Sequence, residues 1–364
     1  MRKVSIFIVK HRFLILIISL LLLIPSIFGM AATRVNYDML TYLPQEMDTM
    51  KGQDELLKDF GKGAFSMVVF EGMPEEDVKK ARDEIAEIPH VENALWYSSV
   101  MDLSVPMEIL PTSLYNAFNT DNATMMVVFF DTSTSADETL QAITEVKKVA
   151  DGKAFVSGMS ALVTDLKDLV EREEMIYVGL AAGLALVAMM LFLDNWLIPF
   201  LFLGSVGMMI LINMGTNIVF GEVSFITMAL AAVLQLAVTM DYSIFLWHSY
   251  KEICTRKSNK EEAMASAIRK TFTSVAGSSV TTVAGFVALC FMTYKLGIDL
   301  GIVMAKGVVL GVIGCVTVLP AMILLFDKVI IKTSKGFENV EGAFGYKKLK
   351  LATGIPEKEE AADV

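Results

Sequence analysis

Apolar positions along this chain follow two regimes. Between about residues 33 and 174 they come in short alternating or helically spaced groups set among charges. Elsewhere they come in continuous runs of about 20, the length an α-helix needs to cross a bilayer. The first run is 13–32, and five more are expected at about 175–193, 197–214, 223–247, 272–294 and 300–326. The first run carries a rival reading, because Gly29-Met30-Ala31 resembles a signal-peptide cleavage site. Its length exceeds a usual signal core and favours a retained anchor.

The middle segment alternates strand and helix patterns. FSMVVFE (65–71) predicts a buried strand. Residues 74–88 predict a helix, with Pro74 at its start and acidic residues in its first turn. A strand at 91–97 follows, then an irregular stretch over 100–120 holding Pro106 and Pro111. A strand at 124–131 (TMMVVFFD), a helix at 135–150 and a short strand at 154–157 complete the pattern. This is β-α-β twice, the ferredoxin-like order, and 161–174 reads as a helix feeding the second apolar run. The expected fold class is an α-helical membrane bundle of six transmembrane helices with an inserted α+β ferredoxin-like extracytoplasmic domain. Its parts are 1–32 (N-terminus and first helix), 33–174 (inserted domain), 175–326 (helices two to six) and 327–364 (tail, polar from about Ser334).

Charge orients this plan. Residues 33–174 carry 27 Asp/Glu against 12 Lys/Arg, so the net −10 of the whole chain conceals a basic remainder. Arg2, Lys3, Lys10 and Arg12 flank the first run, and Lys251, Arg256, Lys257, Lys260, Arg269 and Lys270 lie in an expected loop at 248–271. Positive loops face the cytoplasm, which places both termini there and the acidic domain outside. The acidic balance argues against a nucleic-acid partner. Cys254, Cys290 and Cys315 are scattered, as are the three histidines, so no disulfide framework, metal site or other cofactor is expected. There is no Walker A motif and no strand-linked G-x-G-x-x-G, and no nucleophile–base constellation points to an enzyme.

One residue stands out chemically. Asp241 interrupts the apolar run QLAVTMDYSIFLW, where a carboxylate costs at least ~2.5 kcal/mol and commonly serves a proton relay. A place near the headgroups is the plainer alternative. Tyr242 adds a hydroxyl beside it. Gln235 lies two turns before Tyr242 on one face and serves either as support or as hydrogen-bonding glue between helices. His248, two turns after Asp241, reads best as interfacial. Ser274, Ser278, Thr282 and Gly285 form a small polar stripe in the fifth run. That stripe serves close packing, or else Thr281 or Thr282 bonds the carboxylate. Gly179/Gly183 and Gly307/Gly311 are GxxxG packing signals. Lys306, inside the sixth run, snorkels to the outer interface, or acts as a counter-charge or substrate contact. Glu222 reads as interfacial.

The stretches LQLAVTMDYSIFLWHSYKE (234–252), SSVTTVAGFVAL (278–289), DLGIVMAKGVVLG (299–311) and VLPAMILLFD (318–327) together resemble the MmpL-type branch of the resistance-nodulation-division (RND) exporters. The resemblance implies a porter domain after the first helix and drive by the proton-motive force. It implies a proton relay at Asp241 and Tyr242, and lipids or other hydrophobic molecules as substrates. Such exporters normally hold two six-helix repeats, whereas this chain holds one. It is a natural half-transporter, a truncation or a fragment, and the working unit is expected to be a homodimer or a pair with a second half-transporter. A lone repeat would leave Asp241 and Tyr242 facing membrane lipids. Two other function classes remain open: a protein-export accessory of the SecD/SecF type, and a non-transporting lipid sensor or scaffold.

Overall fold

A computed structural model describes residues 2–59, 64–100, 112–150, 152–193, 195–254 and 259–333. The polar tail expected from about Ser334 and the prolines Pro106 and Pro111 lie outside the described residues. The chain forms two compact units, one of residues 1–35 with 174–364 and one of residues 36–173.

The first unit is helical. Among the described residues six helices are long and apolar enough to cross a membrane: span one (Arg12–Ala32), span two (Met159–Phe192), span three (Ile198–Phe220), span four (Phe225–Cys254), span five (Lys260–Leu289) and span six (Lys295–Leu325). A short amphipathic helix, Arg2–Lys10, precedes span one. Spans three, four and six are half or more buried, while spans one, two and five are buried over 17%, 6% and 11%. The latter three therefore leave most of their apolar surface free for lipid or another protein. Span six breaks at Thr317, because Pro320 cannot donate to the carbonyl of Val316, one turn back.

The structure corrects four expected boundaries. The basic segment 248–271 is mostly helix rather than loop: span four continues to Cys254 and span five starts at Lys260. Asn259 caps that start by accepting from the Glu261 N–H at 3.0 Å, and Glu261 and Glu262 suit the positive end of the helix. Ion pairs tie this end of the bundle: Arg12 to Glu261 at 2.8 Å, and Lys260 to the buried Asp327. Span five also stops at Leu289, short of Tyr294, and span six begins at Lys295.

The second unit holds a sheet of five strands, β1 (Ala64–Glu71), β2 (Val91–Leu95), β3 (Asn119–Thr120), β4 (Ala123–Phe130) and β5 (Ala154–Ser157). Its order is β2-β4-β1-β5, all antiparallel, with β3 folded back on β4. The β1–β4 register pairs Ala64 with Phe130 and Glu71 with Ala123. Helices Glu75–Ala86 and Asp137–Ala150 cover one face through Val78, Ile85, Ile143 and Val146, which meet Val68, Phe70, Met126, Val128 and Phe130. Full burial of each such side chain stabilises by about 1.5–3 kcal/mol.

The strand at 65–71 is buried on this face only. Phe65 and Met67 on the other face are 42% and 37% exposed, because the side chains alternate and both helices lie on one side. The irregular stretch gives way to a helix at Thr112–Phe118, and the strand from Val91 ends at Leu95. Gly158, at φ +115, joins β5 to the helix that becomes span two. A Cβ there would stand 3.1 Å from the Phe65 carbonyl oxygen.

Candidate functional site

Span four is a 30-residue helix with two unlike faces. Leu230, Leu234, Ala237, Asp241, Phe245 and His248 recur every three or four residues and are exposed. Gln235, Thr239 and Tyr242 occupy the buried side. Asp241 and Tyr242 are neighbours in sequence but stand about 100° apart around the helix. The expectation that both face lipid in a lone repeat is therefore corrected. Asp241 is exposed, whereas Tyr242 is 3% exposed because it turns in towards spans five and six.

The Tyr242 hydroxyl has no hydrogen-bond partner among the described residues, and Thr282, Ser278, Asp241 and Cys315 supply its polar surroundings. Thr282 donates to the Ser278 carbonyl at 3.1 Å, which leaves its oxygen able to accept. Thr281, exposed, donates to the same carbonyl at 2.7 Å. The structure thus puts Thr282 beside Tyr242, and neither threonine bonds the Asp241 carboxylate among the described residues. Cys315 donates to the Tyr242 carbonyl at 3.2 Å and locks span six to span four at this level.

A second polar group lies further along the same seam. Asn213 of span three donates to Gln235 at 2.9 Å and to the Val303 carbonyl at 3.3 Å. Lys306 donates to the Asn213 carbonyl at 3.0 Å and to Asn217 Oδ1 at 2.5 Å, and stands 5.2 Å from the centre of the Phe220 ring. Lys306 is therefore held at the end of the helical part of span three, where unpaired carbonyls carry partial negative charge that favours a cation. Asn213 and Asn217, both fully buried, are absent from the sequence-based expectation. A buried amide near the end of an apolar run looks interfacial, and the lysine that needs it lies some 90 positions away. Glu222 is exposed.

Two glycines admit this arrangement. A Cβ on Gly307 would stand 2.8 Å from Asn213 Nδ2 and 3.0 Å from Gln235 Oε1, and one on Gly311 would collide with Thr239. The other expected GxxxG pair is corrected. Gly179 and Gly183 have nothing within 4 Å, because span two lies open on that side. Of the polar stripe in span five, Ser274 and Ser278 are exposed, Thr282 is half-buried and Gly285 is exposed. Among the described residues no cluster of three or more His, Cys, Asp or Glu is placed to hold a metal ion.

This geometry puts a carboxylate, Asp241, on an open helix face and a buried tyrosine next to it in sequence. Comparison with known proteins places the chain. The model of the MMPL family matches residues 43–348. Among curated relatives, "Probable transport protein MmpL4" of Mycobacterium leprae is 26% identical over 52% of this chain and 20% of its own length. Membrane protein SCO5905 of Streptomyces coelicolor is 22% identical over 78% of this chain and 35% of its own length. SecDF, a translocon-associated membrane protein from Thermus, superimposes with a TM-score of 0.49 at 15% identity, over 88% of this chain and 38% of that one. The chain spans about a fifth to a third of the length of these curated relatives. With the family match running through the inserted unit and five of the six spans, this is a multi-pass membrane protein of the RND/MmpL type, and it belongs to the MMPL family.

Proposed function

We propose that this protein is a proton-motive-force-driven exporter of lipids or other hydrophobic molecules, with Asp241 and Tyr242 as its proton relay. The observation that carries the reading is the position of Asp241. Its carboxylate sits on the exposed face of a membrane-spanning helix, where an unpaired charge is costly. Gaining a proton removes that charge and favours a different packing of the face. Tyr242, buried beside it with Thr282 and Ser278 at hand, supplies the link from this event to the interior of the bundle. Gln235 steadies the same helix through Asn213, and Lys306 fastens span three to span six. One charge crossing 100 mV supplies about 2.3 kcal/mol, enough to bias such an equilibrium.

The inserted unit, 33–174, is in this reading an extracytoplasmic porter domain of the ferredoxin-like kind. Its β-α-β-β-α-β succession and the β2-β4-β1-β5 order support this. The acidic composition of that unit and the basic flank of span one support its placement outside, with both termini in the cytoplasm. Its partners in this reading are protons, membrane lipids, a hydrophobic substrate and a second repeat.

Asp241→Asn keeps the shape of the side chain and removes its titration. In vesicles with an imposed pH gradient, the variant is expected to fold and insert normally and to lose gradient-driven flux of a fluorescent lipid analogue. Wild-type flux in that variant removes Asp241 from the mechanism.

A further inference from the structure

The short helix Arg2–Lys10 is amphipathic, and none of the chemistry above uses it. Ser5, Ile8 and Val9 bury against the bundle, while Val4, Ile6 and Phe7 stay 51%, 51% and 55% exposed. A nine-residue helix with exposed apolar side chains and lysine or arginine at both ends has the composition of a segment lying in the membrane interface. Between it and the first turns of span five runs a groove of about 530 Å³. Arg2 and Lys10 line it from the short helix, and Asn259, Glu261, Glu262 and Arg269 line it from span five.

The charges of this groove are unequally engaged. Glu261 is taken by Arg12 in an ion pair at 2.8 Å. Arg269 donates to the neutral Ser266 hydroxyl at 3.1 Å, and Glu262, which shares the groove, is engaged as well. Arg2 and Lys10 are exposed at the groove edge. Lys260, further along the same helix, is paired with Asp327, and Lys270 is paired with Glu252 at 2.6 Å, so neither is available to it. The groove therefore joins cationic side chains to an exposed apolar one, Ile6, which lines it between Arg2 and Lys10 on one face of the short helix.

We propose that this groove binds the headgroup of an anionic phospholipid. The phosphate lies among Arg2, Lys10 and Arg269, and an acyl chain lies along Ile6. A soluble anion would use the cationic side chains and gain nothing from the exposed Ile6. A lipid uses both, and basic pockets between membrane helices are suited to such headgroups. The site is independent of Asp241 and of transport. Its occupation fixes the Arg2–Lys10 helix against span five, the helix that carries Thr282 and Ser278 at its other end.

The test measures binding of fluorescent phosphatidylglycerol and phosphatidylcholine to the purified full chain in neutral micelles. The wild type is expected to prefer phosphatidylglycerol. Arg2→Gln, Lys10→Gln and Arg269→Gln are each expected to weaken that binding about fivefold and to leave phosphatidylcholine binding unchanged. Lys270→Gln removes one positive charge outside the groove and is expected to change neither. No preference in the wild type overturns the proposal. So does equal loss in Lys270→Gln, which would mark a general charge effect. Displacement of the lipid by inorganic phosphate as effectively as by unlabelled phosphatidylglycerol would assign the groove to a soluble anion and overturn it too. Because the readout is equilibrium binding, failure here leaves the relay at Asp241 untouched, and failure of Asp241→Asn leaves this site untouched.

Discussion

Gly307 and Gly179 look alike in sequence, each opening a GxxxG pair in an apolar run, yet they live in different surroundings. Gly307 lets span six approach until its backbone meets Asn213 and Gln235, while Gly179 faces open space. Gly307→Ala drives a methyl into two buried amides that already bond each other. Such overpacking costs about 1–3 kcal/mol, so a clearly lower thermal unfolding midpoint in detergent is expected. Gly179→Ala meets nothing and gains helix propensity, so its midpoint is expected to hold or rise. Equal midpoints for the two variants would mean that spans three, four and six do not close as described. The same contrast separates Asp241 from Tyr242. Helical spacing fixes the angle between Asp241 and Tyr242, but only the neighbouring helices decide which of them turns inward.

At the level of elements, hydropathy made the six spans legible, since each is an apolar run of sufficient length. Alternation and turn signals likewise pointed to strands over 65–71, 124–131 and 154–157, near where β1, β4 and β5 lie. What escaped was local helix stability in charged sequence. Asp48–Asp59, Thr112–Phe118 and the extensions of spans four and five carry no long apolar stripe, so periodicity was silent about them. Hydropathy is also silent on which side of the membrane each element faces. Lys79 is exposed on the helix Glu75–Ala86 and Lys3 is exposed on Arg2–Lys10. With Cys290 replaced by serine, Lys79→Cys is expected to react with a membrane-impermeant maleimide in intact cells, and Lys3→Cys only after lysis. The reverse pattern would invert the proposed orientation. Ser99 is the poorer probe position, because its hydroxyl accepts from the Trp96 N–H at 3.2 Å and a thiol would disturb that turn.

The whole molecule leaves one membrane face chemically unfinished. Leu230, Leu234, Ala237, Asp241, Phe245 and His248 form a stripe that no other part of the chain covers among the described residues. Spans two and five are also mostly open, so apolar exposure alone is common here and says little. The carboxylate changes that. An uncovered Asp241 within a span faces hydrocarbon at a cost of at least ~2.5 kcal/mol, and a second repeat on this stripe would shield it. Two copies meeting about a two-fold axis place the stripe of each against its equivalent, so each position on the stripe nearest the axis faces its own copy. Single cysteines at Ala237 and Phe245, in a chain lacking Cys254, Cys290 and Cys315, are therefore expected to cross-link between copies in native membranes. A cysteine at the buried Leu236, 7% exposed, is expected not to. Cross-linking is expected to follow the helical repeat of the stripe and to vanish when the chain is diluted into excess detergent. Equal yields at Leu236 and Ala237 would mean random collision. A chain that transports at one copy per vesicle would show that a single repeat suffices and that Asp241 works facing lipid.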